Sequence, residues 1–130
     1  MDESERFDEG MKMRRKVLGD AYVDRSLERL TPFNRDFQDL ITRYAWGEVW
    51  SRPGLPRSTR SLLTLVLMVA LHREEEFRMH VHAALRNGVT REQISEALLH
   101  AAIYCGLPAA NAAFKWAEQE LARIDSAETS

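Results

Sequence analysis

The chain has 130 residues, one domain's worth, with a 45% hydrophobic and 29% charged composition that suits a soluble globular protein able to bury a core without disulfides or metal. A net charge of −2 excludes a global pull toward nucleic acid or an anionic membrane. The single cysteine, Cys105, excludes a disulfide framework or a CxxC redox pair within the chain and fits a reducing cytoplasm.

In chain order, residues 1–9 are acidic and polar, unlike a signal peptide, and read as a frayed tail or the start of a helix. Met11 to Leu18 is basic and stops at Gly19. Residues 20–33 are mixed, contain Pro32, and read as a connector. Asn34 is placed to cap a helix reaching about Trp50, with Phe37, Leu40, Ile41, Tyr44, Ala45 and Val49 as its apolar stripe. Arg52 to Pro56 is a turn. Residues 57–71 are apolar nearly all round, which predicts a central buried helix. The apolar run 62–71 is far short of the roughly 20 residues that span a bilayer.

A helix from about 74 to Asn87 comes next, acidic in its first turn and closed by Gly88. Thr90 with Gln93 forms a capping box for a helix carrying Ile94, Ala97, Leu98, Ala101 and Cys105 on one face. Gly106 ends it. Pro108 starts the last helix, whose face of Ala109, Ala112, Ala113, Trp116 and Leu121 suits close packing, inside the chain or between subunits. Residues 125–130 read as a polar tail. No segment alternates as a strand, and no repeat or low-complexity run stands out. The expectation is a single all-α domain over 1–130, about six helices joined by short turns.

The stretch Arg73 to His82 carries the candidate chemistry. Glu76 and His80 lie one helical turn apart at the edge of the apolar run, where a carboxylate and an imidazole are candidate acid/base groups. The plain alternative is a Glu–His pair on a solvated face. His82 points about 200° round the helix from His80 and cannot share its direction. Glu96 and His100 repeat the Glu-x-x-x-His spacing, so a metal site shared by neighbouring helices is a competing reading; helical carboxylate sites typically use Glu-x-x-His instead. A non-catalytic oligomerisation module is a third reading.

The segments Phe37 to Trp50, Arg52 to Leu55, Thr59 to Leu63, His80 to Thr90 and Ala102 to Ala110 together resemble the carboxymuconolactone decarboxylase family, in order and at matching spacing. The wider superfamily resembles alkylhydroperoxidase D (AhpD), whose redox members carry Cys-x-x-Cys-x-x-x-His. Here the cysteine positions fall on Arg73 and Glu76 and the histidine on His80, so the thiol nucleophile is absent. The upstream acidic position falls near Ser61.

The resemblance implies an AhpD-like helical bundle, a cytoplasmic homo-oligomer (hexamer or trimer) and no cofactor or metal. It implies decarboxylation of 4-carboxymuconolactone to 3-oxoadipate enol-lactone, in the protocatechuate branch of the β-ketoadipate pathway of aromatic catabolism. A different small substrate within the family is the alternative. In that chemistry His80 is the expected proton donor and Glu76 its partner. Arg73, Arg57 and Arg60 are candidate binders of the substrate's carboxylates, and Trp46 and Trp50 could wall the pocket.

Overall fold

The computed structural model describes residues 1–129, and among them there are seven α-helices and no strand. The chain divides into two compact units, Met1–Arg57 and the part from Ser58 onward. No helix is long and apolar enough to cross a membrane.

In the first unit, α1 (Glu3–Leu18) starts at Asp2, whose side chain accepts from the Glu5 amide at 2.8 Å, and stops at Gly19, where φ is +90°. The first nine residues are therefore mostly helical rather than frayed. Residues 20–33 are not a plain connector either: α2 spans Asp20–Glu28 and buries Val23. Pro32 lies beyond this helix and never interrupts it. Asn34 does not cap the next helix. Its Oδ1 accepts from the Thr31 amide at 2.8 Å and its Nδ2 donates to the Arg29 carbonyl, so the side chain closes the preceding turn.

The predicted helix to Trp50 exists, but only α3 (Arg35–Leu40) is α-helical; Ile41–Trp50 winds on as a π-helix. The π-segment buries Thr42, Trp46 and Gly47. The expected stripe lies on the other side, with Phe37, Leu40, Tyr44 and Val49 all exposed. The reason is backbone contact. A Cβ placed on Gly10 of α1 would lie 1.8 Å from the Thr42 carbonyl oxygen, and one on Gly47 would lie 2.5 Å from the Arg6 carbonyl oxygen. Two glycines let α1 press directly on the π-segment, and that approach selects the buried face. Around this joint Tyr44 donates to the Glu3 carboxylate at 3.0 Å, and Arg6 pairs with Glu48.

In the second unit, α4 (Arg57–Ala70, its first residue belonging to the first unit) is followed by α5 (Glu74–Arg86), α6 (Arg91–Cys105) and α7 (Leu107–Thr129). Leu65, Val69, Phe77, Val81, Ile94, Leu98, Ala101, Ala113 and Ala117 form the core. Helix α4 is not buried all round. Only Ser61, Leu65 and Val69 are buried, at i, i+4, i+8, while Leu63, Leu67 and Leu71 are 49%, 55% and 62% exposed. The capping box forms as expected, with Gln93 donating its amide to Thr90 Oγ1 and accepting from the Thr90 amide. Gly88 and Gly106 take φ of +90° and +98° at the ends of α5 and α6. Pro108 sits in the first turn of α7, and Ala113 is fully buried on its small-residue face. Phe77 and Trp116 tie α5 to α7, with ring centroids 5.7 Å apart. The expected polar tail is helical through Thr129; its last residue, Ser130, lies outside the described residues.

Candidate active site

The acidic first turn of α5, Glu74, Glu75 and Glu76, sits where exposed amides favour negative charge. One turn on, the helix turns inward, and His80 is buried beside Phe77, Val81, Ala83 and Ala84. Only 8% of His80 is exposed, and its Nδ1 is buried without a hydrogen-bond partner. Burial pushes the imidazole down to about 4 from its ordinary 6.5, and the Glu76 carboxylate opposes this only in part. Glu76 itself is exposed, and no hydrogen bond joins it to His80. The pair thus acts through space. His80 is a neutral imidazole at neutral pH, not a group titrating there.

This shift has a measurable consequence. The unfolded chain takes a proton on this histidine near 6.5 and the folded chain only near 4, so between those values the unfolded state holds more protons. The contribution is fully present above 6.5 and is lost as pH falls through 4, about 3 kcal/mol in all. Urea unfolding at several pH values should show wild-type protein losing that much stability relative to His80→Gln over the window. Parallel curves for the two proteins would mean that the imidazole is not desolvated.

Of the other expected residues, Arg73 is exposed, immediately before α5, and Arg60 is half-buried on α4; both lie in the second unit with His80. Arg57 is exposed at the end of the first unit. Trp46 and Trp50 belong to the first unit and lie against each other, centroids 5.1 Å apart at 33°. His100 is exposed and stacks on Tyr104 at 5.0 Å. Among the described residues no three His, Cys, Asp or Glu side chains converge as metal ligands. Ser61 is buried and accepts from Asn87 Nδ2 at 3.0 Å. An open groove of about 360 Å3 lined by Leu62, Glu92, Gln93, Glu96 and Ala97 holds none of the candidate catalytic groups, and its two carboxylates suit a polyanion poorly.

One cluster was not foreseen. Glu120 of α7 is buried and accepts from Arg78 Nη1 at 2.8 Å, lies 2.9 Å from His82 Nε2, and pairs with Arg123. Burial alone would push this carboxyl up; the hydrogen bonds to His82 and Arg78 and the Arg123 charge outweigh it, and the net direction is down. Arg78 also reaches Glu74 and Gln119. His82 and Arg78 are therefore occupied in fastening α5 to α7, away from His80. Arginine at i and histidine at i+4 on α5 was the sequence signal for it, but their shared acid lies 42 and 38 residues away, respectively.

Residues 35–119 match the family model described as the carboxymuconolactone decarboxylase family. The chain is 54% identical over 119 residues to a 4-carboxymuconolactone decarboxylase of Acinetobacter baylyi, covering 92% of this chain and 89% of that one. It is also 54% identical over 102 residues to the nitrosuccinic acid decarboxylase of Metarhizium robertsii, covering 78% and 71%. A 4-carboxymuconolactone decarboxylase sequence of Pseudomonas putida is 60% identical over its 48 residues, 37% of this chain. With the family match spanning well over half its length and these identities behind it, the chain belongs to the carboxymuconolactone decarboxylase family.

Proposed function

We propose that this protein is a carboxy-lyase that converts 4-carboxymuconolactone to 3-oxoadipate enol-lactone and carbon dioxide, without a cofactor, in the protocatechuate branch of the β-ketoadipate pathway. The observation that carries the reading is the 54% identity to the Acinetobacter baylyi decarboxylase along 92% of the chain. The bond from the ring carbon to its carboxylate breaks. Its electron pair passes through the adjoining double bond into the lactone carbonyl as a dienolate. A proton then goes to the carbon next to that carbonyl. Catalysis therefore requires holding a dianion, stabilising the dienolate oxygen and delivering one proton.

His80 is the proton-delivering group. It is neutral when the site is empty, and the charge of a bound dianion raises its affinity for a proton, so imidazolium forms as substrate arrives. Glu76 adds to this through space. Arg73, Arg57 and Arg60 are the candidate carboxylate binders, and Trp46 and Trp50 the candidate pocket wall. The protein acts as a cytoplasmic homo-oligomer, a hexamer or trimer. Support comes from large apolar side chains left uncovered on a single chain, among them Leu63, Leu67, Leu71, Ile103, Tyr104 and Leu107.

A second reading rests on the nitrosuccinic acid decarboxylase at the same identity. Nitrosuccinate and 4-carboxymuconolactone share a design: the carbon losing carbon dioxide bears a carboxymethyl arm and adjoins an oxygen-terminated electron sink. One site could serve both. Purified protein, with chelator present and no added cofactor, should release carbon dioxide from 4-carboxymuconolactone faster than from nitrosuccinate. The reverse order moves the assignment to the nitro acid, and no release from either by folded protein defeats both readings.

A further inference from the structure

Arg14 lies in α1 with only 6% of its surface exposed. A guanidinium does not discharge in proteins, so a buried one needs a counter-ion or a full set of acceptors. Arg14 has neither. Nη1 reaches Thr42 Oγ1 at 3.5 Å and Nη2 reaches Gln38 Oε1 at 3.3 Å, both neutral acceptors at long range. Nε is buried with no acceptor. Burial pushes the guanidinium below its ordinary value; besides burial only Tyr22, which raises it, and the like charge of Arg15, which lowers it, have an influence. The next residue shows the contrast. Arg15 holds Asp20 at 3.0 Å and Asp24 at 2.9 Å. Among the described residues no carboxylate pairs with Arg14.

The surroundings suit an arriving anion. Gln38 and Thr42 flank the point where α3 becomes the π-segment, a rare winding that is frequent at functional sites. Gln38 is half-buried, so the side chain closing the Nη2 edge is the one nearest solvent. Its amide can turn from accepting to donating. A single positive charge among neutral groups matches a single negative charge, and the planar Nε–Nη edge matches a carboxylate held through two oxygens.

The geometry points to Arg14 as the anchor of a binding site for the carboxylate of a small molecule, with Gln38 and Thr42 as its neutral partners. Two sources fit that chemistry, a carboxylate of the reacting substrate or that of a separate effector. The test uses intact protein and succinate as the probe. The Arg14 Nε–H resonance should move saturably on titration. Calorimetry should show Arg14→Lys binding succinate about ten- to a hundredfold more weakly and Arg14→Met not binding it, with Arg91→Gln unchanged. An unmoved Nε–H resonance at millimolar succinate, or wild-type affinity in folded Arg14→Met, overturns the site; the first reading does not depend on any variant folding. Succinate competing with 4-carboxymuconolactone assigns the carboxylate to the substrate, and binding without competition assigns it to an effector. The binding readouts stand even if turnover is never found, so failure of this site and failure of the decarboxylase reading are told apart.

Discussion

His80→Ala should lower kcat for 4-carboxymuconolactone about a hundred- to ten-thousandfold, the usual contribution of a positioned proton donor, while far-UV circular dichroism stays that of a helical protein. The fold should survive because α5 is held by Phe77, Val81 and Ala84, which are fully buried, and by the contacts of Arg78 and His82 with Glu120. The imidazole is desolvated and its Nδ1 unsatisfied, so its loss removes no protein hydrogen bond at that atom. The loss should fall on kcat more than on KM, because a proton delivered to carbon is needed only in the transition state. Unchanged turnover removes His80 from the mechanism.

Gly10→Ala should cost about 3 kcal/mol or more in stability, read from urea midpoints. Alanine in a helix interior is worth roughly 1 kcal/mol over glycine, so propensity alone predicts a gain. Sterics reverse the sign. The new Cβ would lie 1.8 Å from the Thr42 carbonyl oxygen and 2.8 Å from its carbon, both backbone atoms of a packed segment. Neither side can rotate away, so α1 and the π-segment must separate. Gly54→Ala is the matched control, since a Cβ there meets nothing within 4 Å. Equal midpoints for the two variants would refute the close approach.

What could be read from the sequence was local. The stops at Gly19, Gly88 and Gly106, the Thr90 box and the extent of α5 and α6 each depend on a few neighbouring residues, and each is present in the structure. Helix α2 was hidden because Pro32, the break signal of its region, lies after it. The stripe from Phe37 to Val49 was sound as periodicity, yet α1 packs on the glycine side. Periodicity cannot see a backbone contact, nor can it show a π-winding that changes which residues share a face. Glu76 and His80 were marked as candidates by spacing. The depth of His80 was not, and depth carries its imidazole from the ordinary 6.5 down to about 4. Arg14 gave no pattern at all, since a basic residue in a basic helix reads as surface.

The contact at Gly10 also bears on what a family signature leaves out. The matched stretch begins at residue 35, so α1 and α2 fall wholly outside it. Yet Gly10 lies against Thr42, Arg6 lies against Gly47, and Arg14 reaches Gln38 and Thr42. A fragment trimmed to the matched boundaries would lay open the buried side of the π-segment and lose that guanidinium. The stretch by which relatives are recognised is shorter than the stretch that must fold together.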